Sequence, residues 1–164
     1  MEFFDIDGPG AMDALRGLRE DPDSYDVILV VEGTPQLACH SLLLCATSPA
    51  FADAFLSGFQ QHRADWDYCE AVVEMASVET VSTAIDLLYH LDNPQELLCS
   101  ILQPIVTGTI ESAFNALRDI MNVLDFVAEW EMDRLKTSIE SAVIRYLPLL
   151  FPYLDTSEHL VLDM

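Results

Sequence analysis

The chain has 164 residues, with 28 acidic against 7 basic side chains, a formal net charge of −21, and a hydrophobic share of 51%. That length and apolar share suit one well-buried domain that needs no metal or disulfide staple, and they argue against disorder. The charge sets the chain against phosphate backbones and anionic membrane surfaces, and no uninterrupted apolar run approaches the ~18 residues of a membrane span. The start of the sequence, from Met1 to Asp7, is acidic and lacks the basic region of a secretory leader. The cysteines Cys39, Cys45, Cys69 and Cys99 lie in or beside apolar runs without a pairing pattern, which predicts buried thiols in a reducing compartment. An intracellular protein, cytoplasmic or nuclear, is the expectation. The acidity has two readings, solubility or a partner with a basic surface.

In chain order, Met12, Leu15 and Leu18 fall on one face of a helix over residues 11–18, ended by Glu20, Asp21, Pro22 and Asp23. That apolar face either packs on the chain's own core or meets a second copy. Residues 26–31, a β-branched apolar run, form a strand. Glu32, Gly33, Thr34 and Pro35 supply a turn, and residues 36–40 return as an antiparallel partner. Ser41 then caps a short apolar helix carrying Leu42, Leu43, Leu44 and Cys45. Ser48 and Pro49 open another, on which Phe51, Phe55 and Phe59 recur every four residues. Residues 60–68 are polar and aperiodic, a loop in which Trp66 and Tyr68 either fold back or offer a contact surface.

Residues 71–75 form a third strand, and residues 78–90 a helix with Val81, Ile85 and Leu88 on one face. Asn93 and Pro94 start a further helix with an apolar stripe of Leu97, Leu98, Ile101 and Leu102, broken by residues 103–108. Thr109 begins a helix that extends to Trp130. Met132, Leu135, Ile139, Val143 and Tyr146 mark the last one, closed by Pro148 and Pro152, with residues 153–164 as a loosely docked strand or coil.

Candidate chemistry is sparse. Cys39 and His40 are adjacent on a strand and point to opposite faces, so with Cys45 they make no zinc site. His40 is expected to be partly buried, with a ring nitrogen bonded to backbone or to a carboxylate. No phosphate loop, nucleophile elbow or Ser/His/Asp set stands out, and acid pairs carry little information among so many carboxylates. The sequence yields no catalytic, cofactor or metal residue, and an enzyme is not expected.

The order of Asp26, Val27, a strand, Gly33, a second strand ending in His40, Leu42 to Leu44, then Ser48-Pro49-Ala50-Phe51 and Phe55 resembles the BTB/POZ domain. Residues 71–75, 78–89, 122–128 and 132–135 continue the resemblance over roughly two thirds of the chain. It implies an α/β fold with a small three-stranded sheet flanked by helices. Divided on that pattern, residues 1–24 are an N-terminal helix region and 25–90 the core motif. Residues 91–121 are a helical insertion, 122–147 the C-terminal helices and 148–164 a tail. His40, Ser48 and Phe51 become family structural positions.

The resemblance also implies function. The expected role is protein–protein interaction, as a divergent, stand-alone adaptor or dimerisation domain. Met12, Leu15, Leu18 and Asp26 are candidate homodimer residues, and Phe55, Phe59, Gln61, Trp66 and Tyr68 candidate partner-binding residues. Family members that recruit a cullin scaffold to ubiquitin ligases carry a hydrophobic-x-Glu motif after the Phe-rich helix. Here the anchor Phe59 is present and Gln61 replaces the glutamate. Transcriptional members pair the strand-start Asp with a basic residue after the His; here Ser41 occupies that position, and Asp26, without that partner, is expected to cap local backbone N–H groups instead. The alternatives are a cullin-ligase substrate adaptor, an acidic decoy for a basic protein surface, and a small enzyme or ligand-binding protein on the same fold.

Overall fold

The computed structural model describes residues 6–58 and 69–152. Among these residues, seven helices surround a three-stranded mixed sheet: α1 Ala11–Leu18, β1 Val27–Val31, β2 Thr34–Cys39, α2 Ser41–Thr47, α3 Pro49–Gly58, β3 Cys69–Val73, α4 Val78–Leu88, α5 Gln95–Thr107, α6 Ile110–Glu129 and α7 Asp133–Tyr146. A 3₁₀ turn, Pro22–Ser24, follows α1, and another, Leu147–Leu150, follows α7.

The sheet has the order β2-β1-β3, with β2 antiparallel and β3 parallel to the central β1. The hairpin is fixed by its turn, in which Glu32 (φ 53°) and Gly33 (φ 75°) both adopt positive φ, as a tight two-residue hairpin loop requires. Nothing lies near the position a Cβ would take at Gly33. Gly33→Ala should therefore cost only the left-handed strain, about 1–2 kcal/mol, read as a lowered urea midpoint at unchanged slope. The register slips between Leu29 and Val30, so that Val30 faces Pro35. Proline is tolerated there because β2 is an edge strand.

Val27, Leu29 and Val31 alternate into the core from β1, with Ile28 and Val30 half-buried on the other face. The helices close over the buried face. α4 contributes Val81, Ala84, Ile85 and Leu88, α5 Leu98, Leu102 and Ile105, α6 Ile120, Val123 and Val127, and α7 Leu135 and Ile139. α5 packs against α6 and α7, and α4 lies against α6.

The structure corrects several element boundaries. β3 starts at Cys69 and ends at Val73, before Met75, which has φ 62° and is 96% exposed, a turn residue that ends the pairing. α5 begins at Gln95, so Asn93 does not cap it; Pro94 precedes the helix and no side chain caps it. α5 also runs through Pro104 to Thr107. Buried Ile105 holds this last turn down, and Gly108 N–H closes it on the Pro104 carbonyl at 2.9 Å. The crossing to α6 is tight, since a Cβ at Gly108 would lie 2.5 Å from that carbonyl oxygen. The expected start of α6 holds: the Thr109 side chain accepts from Ser112 N–H at 3.2 Å. α6 is unbroken from Ile110 to Glu129, so no element boundary falls at residue 121.

Candidate functional site

Two places carry side chains that the sequence singles out, a buried polar cluster between α1 and α4 and a junction beneath α3; a third, an exposed apolar stripe, emerges from the structure alone.

The cluster centres on His40, buried at the end of β2. Its Nδ1 lies 2.5 Å from the Tyr89 hydroxyl, and its Nε2 lies 2.9 Å from Ser24 Oγ. The Tyr89 hydroxyl also accepts the His40 backbone N–H at 3.2 Å, and Ser24 donates to the Leu18 carbonyl at 2.6 Å. One arrangement of protons satisfies all of these contacts. Tyr89 donates to Nδ1, the Nε2–H donates to Ser24, and Ser24 donates to the end of α1. His40 thus bonds two hydroxyls, where backbone or a carboxylate was expected. Tyr89 is a long-range partner, from the end of α4.

Burial pushes the His40 ring below the ordinary histidine value of 6.5, opposed by the Asp26 carboxylate and reinforced by Arg19. Burial likewise pushes Tyr89 upward and the Cys39 thiol up to about 12. A histidine held neutral binds its proton less readily folded than unfolded. Its contribution is therefore complete above pH 6.5 and is lost as pH falls below that value. Stability should decline as the pH falls below about 6.5, and His40→Gln, although less stable at neutral pH, should show a flatter profile on that acid side by chemical denaturation.

The same cluster fastens α1. Arg16 donates to the Tyr89 carbonyl at 3.0 Å and forks onto Asp92 at 2.7 and 3.1 Å. That hydrogen bond holds the Asp92 carboxyl below its usual range. Arg19 pairs with Asp86 and places its guanidinium 4.5 Å from the Tyr89 ring centroid. Tyr25 OH donates to the Arg19 carbonyl. Met12 and Leu15 are buried in the chain's own core, the first of their two readings, while Leu18 is 46% exposed. Two of the three apolar candidates for a homodimer seam are therefore already covered by this chain.

Asp26 is exposed and caps α2 from outside. It accepts Ser41 N–H at 2.7 Å, and the Ser41 hydroxyl also donates to it. Ser41 does not cap the helix with its own side chain, because the carboxylate supplies the acceptor. Cys45, expected to be buried, is exposed.

At the junction, buried Ser48 accepts Phe51 N–H at 3.0 Å and donates to the Trp130 carbonyl at the end of α6. Phe51 stacks on Trp130, with centroids 3.9 Å apart and planes 16° from parallel, and on Phe55 at 5.9 Å. Phe55, a candidate partner-binding residue, is thus a buried core residue. The other candidates, Phe59, Gln61, Trp66 and Tyr68, lie outside the described residues, as does the tail at 153–164.

Chemically, these clusters hold helices together. Among the described residues no group of His, Cys, Asp or Glu is arranged to hold a metal ion, and no described helix is long and apolar enough to cross a membrane. Sequence reasoning missed a third feature, an exposed apolar stripe on α6 formed by Ile110, Phe114 and Met121. Its spacing of four and seven is present in the sequence, but which apolar side of this 20-residue helix stays exposed depends on the helices packed around it.

A search of curated proteins returns no match. The family model of the BTB/POZ domain matches residues 15–147, from within α1 to the end of α7. That span takes in the hairpin, His40, the Ser48–Phe51 junction and all the later helices. The chain belongs to the BTB/POZ domain family.

Proposed function

We propose that this chain works as an adaptor or dimerisation module, holding a protein partner on its surface and associating with a second copy of itself. The observation that carries this reading is family membership over residues 15–147, because the BTB/POZ domain is a protein–protein interaction module. The disposition of side chains supports it. The polar groups at His40, Tyr89, Ser24 and Ser48 are engaged inside the fold, while large apolar side chains such as Leu18, Phe114 and Ile144 are exposed. BTB proteins are generally intracellular, and a cytoplasmic or nuclear address goes with the proposal.

For self-association, the surface proposed is the outer side of α1 with Leu18, together with Asp26, both of which are exposed. Two copies each carrying −21 repel one another, and salt screens that repulsion. The expected result is a dimer at physiological salt that loosens as ionic strength falls, weakened further by Leu18→Asp. Light scattering across a salt series measures it, and a monomer at all micromolar concentrations and salts would contradict it.

The narrower reading, a cullin-ligase adaptor, is favoured by Phe59, which supplies the family's apolar anchor, and opposed by Gln61. On this reading Phe59→Ala weakens binding to a cullin N-terminal fragment, and Gln61→Glu strengthens it. Calorimetry with no heat from either the parent or the Gln61→Glu protein removes the cullin and leaves the general module.

A further inference from the structure

α6 carries a core face and, beside it, a second apolar row that the fold covers only in part. Ala113, Ala116, Ile120, Val123 and Val127 are buried in the core. A second row, Ile110, Phe114, Leu117, Met121, Leu124 and Ala128, advances by alternating steps of four and three residues. Ile110, Phe114 and Met121 are 40%, 42% and 39% exposed, Ala128 is exposed, and Leu117 and Leu124 are half-buried against the core. Alternating steps of four and three define the a and d positions of a heptad, the row along which one helix meets another at a shallow crossing angle. The row extends ~27 Å along the helix at 1.5 Å per residue, long enough for several turns of a second helix. A helix face that met only water would carry polar side chains there.

The flank of the row bears charge. Glu111, Arg118 and Asp125 follow one another at seven-residue spacing, at the positions that border a helix–helix seam. Arg118 is neutralised by Asp119 at 3.3 Å. Glu111 and Asp125 form no ion pair among the described residues, nor does Glu129 one turn beyond. The field along the seam is therefore acidic, in a chain of net charge −21. A second copy would bring the same carboxylates against it, whereas a helix with lysine or arginine at the flanking positions would be attracted and oriented.

We propose that this row docks an amphipathic, cationic helix of a partner protein, with Phe114 and Met121 as its central anchors. The proposal rests on the interaction-module reading and names the chemistry of the partner.

The test uses the full chain and a fluorescent peptide of about three heptads with leucine at the a and d positions and lysine at the flanking ones. The wild-type chain should bind it with roughly micromolar affinity, weakening steeply as salt rises. A twin peptide with glutamate at the flanking positions should not bind. Phe114→Glu and Met121→Glu, both at exposed positions, should each weaken binding by about tenfold or more while circular dichroism shows the fold retained. These variants separate seam docking from general attraction, because an added negative charge strengthens a merely electrostatic association with a cationic peptide. Unchanged or tighter binding to Phe114→Glu overturns the proposal. So does a wild-type dimer that Phe114→Glu converts to monomer, which would give the row to a second copy. If the peptide result is negative while a dimer sensitive to Leu18→Asp persists, the seam proposal falls alone. If the peptide result is negative and no self-association is found, the dimerisation reading loses support as well.

Discussion

Phe51→Ala should lower the stability of the domain by about 3–5 kcal/mol, the range for removing a fully buried aromatic from a core. Phe51 has no exposed surface, stacks on the rings of Trp130 and Phe55, and has its N–H held by Ser48. Truncation removes the contact that joins α3 to the end of α6, and the rigid Trp130 stack leaves little that could collapse into the space. Against a typical total of about 5–15 kcal/mol, the loss is large enough to populate unfolded chain at body temperature. Urea unfolding followed by circular dichroism measures it. A change below about 1 kcal/mol would mean that the stack is not part of the folded core.

The second large effect is expected at Tyr89. Tyr89→Phe keeps the ring and removes one hydroxyl, leaving both the Nδ1 and the backbone N–H of His40 without their partner in a buried site. An orphaned buried polar group costs about 1–3 kcal/mol, and here there are two. A double-mutant cycle with His40→Gln should show coupling of about 0.5–3 kcal/mol, since the second substitution removes a group that the first has already stranded. Additive losses would show that the hydroxyl and the ring do not share a bond. Because Ser24 continues the chain of bonds to the Leu18 carbonyl, hydrogen exchange at the end of α1 should accelerate in Tyr89→Phe.

Much of the architecture was legible in local pattern. The spacing of Met12, Leu15 and Leu18 gives α1 its observed bounds, and the turn expected at Glu32–Pro35 between two apolar runs gives the hairpin, although Thr34 and Pro35 already pair within β2. Thr109 announces the start of α6. The errors arise where local signals are outweighed by contacts distant in sequence. Pro104 reads as a breaker, yet the burial of Ile105 carries α5 past it. Ala71 to Met75 reads as strand, but Met75 takes a positive φ that an apolar pattern cannot reveal.

The site was less legible for the same reason. Periodicity shows that α1 has an apolar face but not that Arg16 and Arg19 clamp that helix onto α4 and Asp92 of the same chain. Phe55 is a candidate partner-binding residue only by the family resemblance, and in the structure it is buried beside Phe51. Ser41 reads as a cap of its own helix, whereas the acceptor is the carboxylate of Asp26, whose expected capping of local backbone N–H groups the structure bears out. His40 was placed correctly in the interior, but its partner Tyr89 is forty-nine residues away.

The claim that this chain acts by holding other proteins on its surface is tested most directly by affinity purification from a lysate of the cells it comes from, with quantitative mass spectrometry. The account predicts that at least one protein, or a second copy of the chain, is retained in near-stoichiometric amount. It also predicts loss of that protein from a folded surface variant, Phe114→Glu or Leu18→Asp, but not from a substitution at exposed Cys45. Recovery of the wild-type chain alone, as a monomer at every salt concentration, would contradict it.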